Sequence, residues 1–389
     1  MSSANSYFEG VPEEPGDAVL ELMKAFRQDE RPHKIDVSVG VFRDKSGRTP
    51  VLEVVKHAER HLLENQETKA YVAPEGDNHF LDLLASRVLE TSLDDTWVAV
   101  QTPGGTGALR LSLELVRAAK LGARVFLGVP SWPNHAQIAA AAGCRLETYE
   151  HRSPLGLQLK RVLNEAQAGD ALLLQACGHN PTGLDLSDAH WRLVGESAQL
   201  KGFLPIVDLA YQGLADGLVQ DFSGVRILLH HCDQIAIAYS CDKNFGLYRD
   251  RVGALFVRTR SNADARLVRS NLLSQGRTSW SMPPDHGAAV VRNIFESDQM
   301  TRAWTAELAA MCARIKAVRT RLAESDPLFE SLMHEKGMFS MLPVSPDDVR
   351  ALREQHAIYV SLSGRVNVAG LGDHQIDRFS SAWRSIVSR

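Results

Sequence analysis

The sequence has no two cysteines close enough to form a CxxC motif, no long apolar run and no large excess of charge of one sign. Its cysteines are odd in number and widely spaced, and they are Cys144, Cys177, Cys232, Cys241 and Cys312. No two of them form a CxxC motif, which argues against a disulfide framework or a structural zinc site and favours reduced thiols. No cluster of His, Asp and Glu with the spacing of metal ligands is evident, so we expect no bound metal.

The charge balance and the first residues argue against a protein that binds nucleic acid, a membrane protein and a secreted protein. The chain has 43 basic and 47 acidic residues, a formal net charge of -4, which gives no electrostatic reason to expect nucleic acid or an anionic membrane surface as a partner. No window approaches the length of a membrane-spanning helix. Residues 1–10 lack the basic segment and apolar run of a signal peptide. We therefore expect a cytoplasmic location, although an organelle stays open.

The central part of the chain has a regular pattern. At 389 residues the chain is too long for one simple core, so we expect two domains. From residue 97 onwards, short apolar runs are separated mostly by helical stretches, which predicts an α/β protein with a mostly parallel sheet flanked by helices. The runs are 97–100, 125–129, 171–177, 203–207, 235–239 and 254–257.

The two ends of the chain have patterns typical of a smaller α/β domain. We predict a large domain over residues 46–305 and a small domain made from residues 1–45 and 306–389. Within the large domain, a helix over 51–66 is predicted to have Val51 and Leu63 on its apolar face. The elements predicted near the ends are a helix over 17–28, an alternating strand-like run over 35–42, a helix over 300–324, strand-like segments over 338–342, 357–361 and 365–368, and helices over 347–355 and at the C-terminus.

One lysine, Lys243, stands four residues beyond the end of the apolar run at 235–239. Lys243 has a hydroxyl nearby at Ser240 and a guanidinium at Arg251, and no charged run that would indicate a solvated helix face flanks it. Most lysines are surface charges, but a lysine in a part-apolar pocket beside other cations loses its proton more easily and acts as an amine nucleophile. In parallel sheets, ligands bind outside the carboxyl ends of the strands, which is where Lys243 is expected.

Residues 104–107, Gly-Gly-Thr-Gly, open a predicted helix. The free N–H groups at a helix N-terminus bind anions. The loop lacks the Walker spacing, since no Gly-Lys-Ser/Thr follows, so it suits a single phosphate better than a nucleotide. A simple tight turn stays open as the alternative.

Three further side chains follow predicted strands. Asp208 ends the run 204–208, and an aspartate placed there keeps a pyridine nitrogen protonated if it faces one. An N-cap or a metal ligand is the alternative for this residue. Trp132 offers a flat face for stacking and Tyr211 a phenol, although each of them, taken singly, is more often a core residue.

Several blocks of this sequence, in this order, resemble those of one family. They include QTPGGTGALR at 101–110, PSWPNH at 130–135, NPTG at 180–183, KNFGLY at 243–248 and SGRVNVAG at 363–370. The chain resembles the class I aminotransferases that use pyridoxal 5′-phosphate, and within them the aspartate and aromatic amino acid branch. The likeness runs over almost the whole chain. It implies the fold of a type I pyridoxal-phosphate transferase, pyridoxal 5′-phosphate as cofactor and a homodimer with shared active sites.

The resemblance implies roles for the residues around the cofactor ring. Lys243 is the lysine that forms the internal aldimine, a Schiff base, and that moves the proton of the substrate α-carbon. Asp208 pairs with the pyridine nitrogen, and His135 supports Asp208. Asn180 and Tyr211 donate hydrogen bonds to O3′ of the ring. The expected catalytic residues are Lys243, Tyr211 and Asp208.

The resemblance also implies which residues hold the phosphate and the substrate. Trp132 stacks on the cofactor ring. Arg365 holds the substrate α-carboxylate, and Arg277 is an arginine contributed to the partner subunit for a distal carboxylate. The residues expected at the phosphate are Gly105, Thr106, Ser240, Arg251 and, across the homodimer interface, Tyr71. Further substrate contacts are expected from Val39, Gly40, Trp132, Asn180 and Met282.

The implied reaction is a ping-pong amino transfer between an L-amino acid, either aromatic or aspartate, and 2-oxoglutarate. Met282 and Ala70 stand where aspartate-specific members have Asn, which favours apolar or aromatic substrates, whereas Thr49 and Thr106 match the aspartate type. Both preferences stay open. The alternatives are other pyridoxal-phosphate chemistry on this scaffold, such as elimination or decarboxylation, and a non-catalytic homologue.

The sequence departs from the family pattern just before the lysine. Cys241-Asp242 stands where the family usually has Tyr-Ser. The acidic Asp242 either makes Lys243 harder to deprotonate or reshapes the phosphate end of the site, and both readings stay open.

Overall fold

A computed structural model describes residues 7–13, 16, 18–152 and 155–387 of the chain. Its strands are β1 (Ile35–Asp36), β2 (Trp97–Pro103), β3 (Arg124–Val129), β4 (Arg145–Glu150), β5 (Ala171–Gln175), β6 (Leu204–Leu209), β7 (Ile235–Ser240), β8 (Val252–Arg258), β9 (Phe339–Met341), β10 (Ile358–Tyr359) and β11 (Arg365–Asn367). Its helices are α1 (Ala18–Gln28), α2 (Glu53–Asn65), α3 (Asn78–Val88), α4 (Gly104–Ala119), α5 (Pro133–Ala141), α6 (Leu155–Glu165), α7 (Asp188–Lys201), α8 (Ser223–His231), α9 (Asn262–Ser279), α10 (His286–Glu296), α11 (Asp298–Ser325), α12 (Pro346–His356) and α13 (Ile376–Val387).

A seven-stranded sheet with the order β2-β8-β7-β6-β5-β3-β4 lies at the centre. Strand β8 runs antiparallel to both of its neighbours, and the other neighbouring pairs are parallel. The predicted α/β fold with a mostly parallel central sheet is therefore confirmed. Each of the six predicted apolar runs coincides with a strand of this sheet.

Strand β4 is the member of the sheet that the apolar pattern did not indicate. It forms one edge and has the sequence RLETYE, in which only Tyr149 is buried. Charged side chains are typical of edge strands, because they discourage pairing with other chains. A polar edge strand of this kind has no apolar run to detect.

The central strands contribute to apolar clusters on both faces of the sheet. In β6, Val207 and Leu209 belong to one cluster, whereas Ile206 belongs to the other. In β7, Ile237 and Ala238 divide in the same way, because successive side chains of a strand point to opposite faces. With both faces buried, polar groups that bind a ligand are left to the ends of the strands.

A third apolar cluster joins the two ends of the chain. It contains Ile35 and Val37 from the beginning, and Leu322, Leu352 and Trp383 from α11, α12 and α13. Two small sheets accompany it, since β1 pairs in parallel with β10 and β9 pairs antiparallel with β11. We keep the division into residues 46–305 and the two ends as a proposal, and this separate cluster supports it.

The predicted strand-like run over 35–42 is wrong beyond its first two residues. Ile35 and Asp36 pair in register with β10, and the backbone of Val37 adds hydrogen bonds with Tyr359 (3.1 Å) and Asn367 (2.7 Å), but the strand does not continue beyond them. The side-chain amide of Asn367 donates to the carbonyl oxygens of Val39 (2.6 Å) and Val41 (2.7 Å). These backbone groups are thus satisfied by a side chain instead of a neighbouring strand.

The helix predicted over 51–66 is present as α2, but its apolar face is narrower than predicted. Leu62 is 6% exposed and Leu63 is 87% exposed. Adjacent residues of a helix point about 100° apart, so only one of these two leucines can face the core. Val51 precedes the helix and is 51% exposed. Two apolar side chains are therefore left on the surface of the chain.

The helices predicted at the two ends are confirmed as α1, α11, α12 and α13, although the predicted first residue, Asp17, lies outside the described residues. Among the described helices, none combines the length and the apolar character needed to cross a membrane.

Candidate active site

Lys243 lies in a loop just past the carboxyl end of β7. The hydroxyl of Tyr239 accepts a hydrogen bond from Asn244 Nδ2 (2.8 Å), and the carbonyl of Asn244 accepts one from Trp304 Nε1 (2.9 Å). All three of these anchoring side chains are buried, so the loop is held from both the strand and α11. The half-buried lysine places its Nζ atom 5.1 Å from the centroid of the Tyr211 ring.

Asp208 ends a chain of hydrogen bonds at the carboxyl end of β6. His135 Nε2 lies 2.8 Å from Asp208 Oδ2, and His135 Nδ1 lies 2.7 Å from Ser131 Oγ. Gln175 Nε2 donates to Ser131 Oγ (3.3 Å). A carboxylate only accepts, so the network assigns the imidazole proton to Nε2 and leaves Nδ1 to accept from the serine. Asp208 is therefore held in one orientation by a fully buried histidine.

Asn180 and Tyr211 lie together beside the lysine. Asn180 Nδ2 donates to the Tyr211 hydroxyl (3.0 Å), and Gln175 exchanges two hydrogen bonds of 2.9 Å with the backbone of Asn180. Burial raises the pKa of Tyr211, an effect that the nearby Lys243 opposes. Oδ1 of Asn180 is buried and has no hydrogen-bond partner among the described residues. The amide and the phenol are thus polar groups with bonding capacity left for a ligand.

Arg365 approaches this group from the end of the chain. It donates from Nη2 to the carbonyl of Ser38 (2.8 Å), and its guanidinium lies 5.2 Å from the centroid of the Phe339 ring. The same ring lies 5.8 Å from the ring of Tyr211. A Cβ built on Gly40 would lie 2.9 Å from Phe339, so this glycine allows a close approach. Predicted residue Val39 lies between Ser38 and Gly40.

The N-terminus of α4 and two side chains converge into a polar cradle that consists of residues 104–106, Ser240 and Arg251. A Cβ on Gly105 would lie 3.1 Å from Ser240 Cβ, and a Cβ on Gly104 would overlap the guanidinium of Arg251. Gly104 has a φ of 70°, which a residue with a side chain adopts only with strain. Free N–H groups, a hydroxyl and a guanidinium together suit a phosphate.

Asp242 also lies in this cradle. Its Oδ2 atom forms a short contact with Nη1 of Arg251, and its backbone N–H donates to Ser240 Oγ (3.2 Å). Two effects of Asp242 were considered: a change in how easily Lys243 loses its proton, and a change in the phosphate end of the site. Its contacts with Arg251 and Ser240 favour the second.

The remaining predicted residues are less enclosed. Trp132 is half-buried and packs edge-on against His135, with 5.2 Å between the ring centroids. Tyr71 is 91% exposed. Arg277 is exposed and donates to Ser281 Oγ (2.6 Å), beside Met282. Within one chain, Tyr71 and Arg277 thus lie at the surface, as residues that complete a site in another subunit would.

Three residues of this site were not predicted from the sequence. Ser131 and Gln175 extend the chain of hydrogen bonds from Asp208, and the ring of Phe339 lies close to both Tyr211 and Arg365. Ser131 and Gln175 could have been suspected from the sequence, because each is a polar residue at, or just past, the end of an apolar strand, as Asp208 is. The segment with Phe339 was predicted to be strand-like, but no pattern indicated which ring it faces.

Comparison with known proteins shows which family this chain resembles. Residues 32–382 match the family described as aminotransferase class I and II. The tyrosine aminotransferase of Rhizobium meliloti is 49% identical, over 94% of this chain and 96% of its own length. The aromatic-amino-acid aminotransferase of Pseudomonas aeruginosa is 41% identical (97% and 98%), and the aspartate aminotransferase of Escherichia coli is 37% identical (94% and 96%).

Solved structures show the same likeness. An aromatic amino acid aminotransferase with 3-indolebutyric acid has a TM-score of 0.92 and 35% identity, over 97% of this chain and 99% of that one. The aromatic-amino-acid aminotransferase of Burkholderia pseudomallei, covalently bound to pyridoxal phosphate, has a TM-score of 0.91 and 32% identity, over 98% and 99%. The chain belongs to the class I and II aminotransferases and is a transferase with the type I fold of that family.

Proposed function

We propose that this aminotransferase transfers the amino group of an aromatic L-amino acid to 2-oxoglutarate, in two half-reactions with ping-pong kinetics. The cofactor is pyridoxal 5′-phosphate, on which the family depends. The observation that carries the proposal is that Lys243, Asp208 and Arg251 all lie at the carboxyl edge of the parallel strands β6 and β7, in a chain 49% identical to a tyrosine aminotransferase.

The residues present fit this cofactor. The cradle at 104–106, Ser240 and Arg251 has the donors that a phosphate monoester needs. Asp208 offers a carboxylate that His135 fixes. The amide nitrogen of Asn180 has two N–H groups, of which one donates to the Tyr211 hydroxyl and the second suits the ring oxygen of the cofactor. In this proposal Gly105, Thr106, Ser240 and Arg251 hold the phosphate, with Tyr71 added from the partner subunit.

Bound pyridoxal phosphate supplies an electron-withdrawing ring that stabilises negative charge at the substrate α-carbon. Asp208 holds a proton at the ring nitrogen, and His135 keeps its carboxylate in place through a 2.8 Å contact. Trp132 would stack on the ring, and the Asn180 amide N–H and the Tyr211 hydroxyl would donate to its O3′ oxygen. These roles keep the ring in its most electron-withdrawing state.

The proposed proton transfer takes place at Lys243 Nζ. This amine binds the cofactor, takes the α-proton of the substrate and returns a proton during the same half-reaction. The Nζ atom lies 5.1 Å from the centroid of the Tyr211 ring. Arg365 binds the α-carboxylate, with Val39 and Gly40 beside it, and so orients the bond that is broken.

The preference for aromatic substrates rests on two observations. Three relatives named for tyrosine or aromatic amino acids are 49%, 41% and 37% identical, against 39% and 37% for the aspartate aminotransferases of Salmonella typhi and Escherichia coli, so the two most similar of these relatives are of the aromatic type. Met282 and Ala70 present apolar groups where a short acidic substrate would need amide donors. Arg277 is proposed to bind the distal carboxylate of 2-oxoglutarate, so aspartate is the second candidate donor.

A homodimer and a cytoplasmic location complete the proposal. The exposure of Tyr71 (91%), Leu63 (87%) and Val51 (51%) supports an interface between two copies of the chain. All five cysteines are free thiols, which suits a reducing compartment.

The test mixes the purified holoenzyme with single amino acids, among them tyrosine, phenylalanine and aspartate. The absorbance of the cofactor is followed first, and 2-oxoglutarate is then added. We expect tyrosine and phenylalanine to convert the cofactor and 2-oxoglutarate to reverse the change, with release of the aromatic 2-oxo acid and glutamate. Release of carbon dioxide or ammonia instead would favour decarboxylation or elimination and contradict the proposal.

A further inference from the structure

The carboxylate of Asp242 lies among the groups proposed to bind the cofactor phosphate. Its Oδ2 atom pairs with Nη1 of Arg251, and its backbone N–H donates to Ser240 Oγ (3.2 Å). A Cβ built on Gly104, the first residue of α4, would lie 3.1 Å from the same Oδ2 atom. Asp242 is therefore adjacent to all three parts of the cradle: the helix N-terminus, the hydroxyl and the guanidinium.

The contact with Arg251 does not satisfy this carboxylate completely. Asp242 is 4% exposed, and its Oδ1 atom is buried without a hydrogen-bond partner among the described residues. An unpaired buried carboxylate oxygen is unfavourable, because it has lost water and gained no donor. The carboxylate thus has unused capacity within the space where a phosphate is expected.

Within the cradle, the guanidinium of Arg251 is already paired with Asp242. The charged neighbours are Arg251 and Lys243, and the other titratable groups that face Asp242 are the Cys241 thiol and the Tyr248 phenol. Burial raises the pKa of both Cys241 and Tyr248, so neither of them adds a negative charge at neutral pH. A phosphate monoester carries about −1.5 to −2 charges at neutral pH, and a carboxylate beside it repels it.

We propose that Asp242 competes with the cofactor phosphate for Arg251, and that it thereby lowers the preference of the site for pyridoxal 5′-phosphate over unphosphorylated pyridoxal. Because it depends on Arg251 binding that phosphate, this proposal rests on the proposed function. Arg251 shares its donors between the two anions, which makes the phosphate end of the cofactor less firmly held. Asp242 is in this sense a residue that determines cofactor specificity.

The test measures the affinity of the cofactor-free protein for each of the two ligands by equilibrium dialysis at neutral pH. Asp242→Asn removes the charge and keeps the shape of the side chain, and Asp242→Ser is a second variant with a smaller polar group. We expect each variant to bind pyridoxal phosphate about tenfold more tightly than the natural protein, from the loss of one like charge beside Arg251, whose side chain is 41% exposed. Binding of pyridoxal is expected to change by less than about twofold.

Asp250→Asn is the matched control. It removes one negative charge from the same loop, but a Cβ on Gly287 of α10 would lie 2.7 Å from Asp250 Cβ, so this side chain faces α10 and not the cradle. We expect it to leave both affinities unchanged. Thermal unfolding of each variant without cofactor checks that the fold is retained.

The outcomes separate the two proposals. If Asp242→Asn and Asp242→Ser bind pyridoxal phosphate no more tightly than the natural protein, competition for Arg251 is overturned. An equal gain for both ligands would also overturn it, because the effect would then lie at the ring or at Lys243. If the natural protein binds neither ligand, and borohydride fixes no cofactor to Lys243, the proposed function itself fails.

Discussion

At the scale of the residue, Lys243 is the most direct test of the proposed chemistry. Lys243→Ala removes both the amine that binds the cofactor and the base that moves the α-proton, so we expect steady-state turnover to fall by about 10⁴-fold or more. The cofactor should still bind without a covalent link, since Asp208 and Arg251 are unchanged. Turnover with tyrosine and 2-oxoglutarate, together with dialysis of the cofactor, measures both effects.

Lys56→Ala is a suitable control for this variant. Lys56 is a half-exposed lysine on α2 that pairs with Glu53 (2.8 Å), and its loss should leave turnover unchanged. If Lys243→Ala retained full turnover, the proposed role of this lysine would be wrong.

At the scale of the residue, we also expect Ala70 and Met282 to set the substrate preference. The double variant Ala70→Asn and Met282→Asn adds amide donors at the two positions where aspartate-specific members have them. We expect the ratio of kcat/KM for aspartate to that for tyrosine to rise by about tenfold, since a polar site discriminates through the hydrogen bonds it offers. Met333→Asn, at an exposed methionine outside the proposed site, is the control. An unchanged ratio in the double variant would show that these positions do not set the preference.

The sequence predicted the types of residue in the site better than their partners. Asp208 and Lys243 could be singled out because each lies at the end of an apolar run, which places it at the carboxyl edge of the sheet. That Asp242 would turn towards Arg251 was not predictable, because neighbouring residues in a loop have no fixed period. The positions of Ser131 and Gln175 beside His135 depend in the same way on side-chain rotamers.

At the scale of the element, the site depends on how closely β8 approaches α4. A Cβ built on Gly253 would lie 2.5 Å from the carbonyl carbon of Gly104 and 2.8 Å from its oxygen. Both are backbone atoms that cannot move independently, so Gly253→Ala must push the N-terminus of α4 away from the strand. We expect this variant to lose about 1–3 kcal/mol of stability towards urea, and also affinity for pyridoxal phosphate.

Gly156→Ala, within α6, controls for the change from glycine to alanine. Its Cβ would meet His190 Nε2 at 3.4 Å, an ordinary contact, and alanine favours a helix by about 1 kcal/mol. We therefore expect no loss of stability or of cofactor affinity. Equal behaviour of the two variants would mean that the close approach of β8 to α4 is not needed for the cradle.

The elements differ in how well the sequence predicted them, for a physical reason. Strands buried on both faces, such as β6 and β7, have continuous apolar runs and were predicted. Strand β4 is an edge strand with polar side chains and was missed. The segment after Ile35–Asp36 has the alternating pattern of a strand, but the side chain of Asn367 donates to two of its carbonyl oxygens in place of a neighbouring strand. A contact between residues so far apart in the chain cannot be seen in the local sequence.

At the scale of the whole molecule, one chain does not hold every proposed site residue in its interior. Tyr71 is 91% exposed, and Arg277 lies exposed at the end of α9. Val51 and Leu63 are apolar and exposed, and apolar groups on a surface are typical of an interface with another protein chain. The proposed dimer, in which each chain would complete the site of the other, would account for these observations together.

A dimer of two defective chains tests this arrangement. One chain has Lys243→Ala and the other has Arg277→Ala, and the mixed dimer is purified through two different affinity tags. If Arg277 serves the partner subunit, the mixed dimer has one site with both residues intact and one with neither. We expect it to recover about half of the turnover of the natural dimer with 2-oxoglutarate, although each variant alone is nearly inactive.

The reciprocal mixed dimer gives the opposite expectation. It joins a natural chain to a chain that has both substitutions. If Arg277 acts across the interface, the intact Lys243 then faces a partner without the arginine, and turnover with 2-oxoglutarate should stay near background. If instead each chain uses its own Arg277, the natural chain keeps a complete site, so this dimer would be half-active and the first one inactive. The two dimers contain the same residues in total, so a difference between them reports only the subunit from which Arg277 comes.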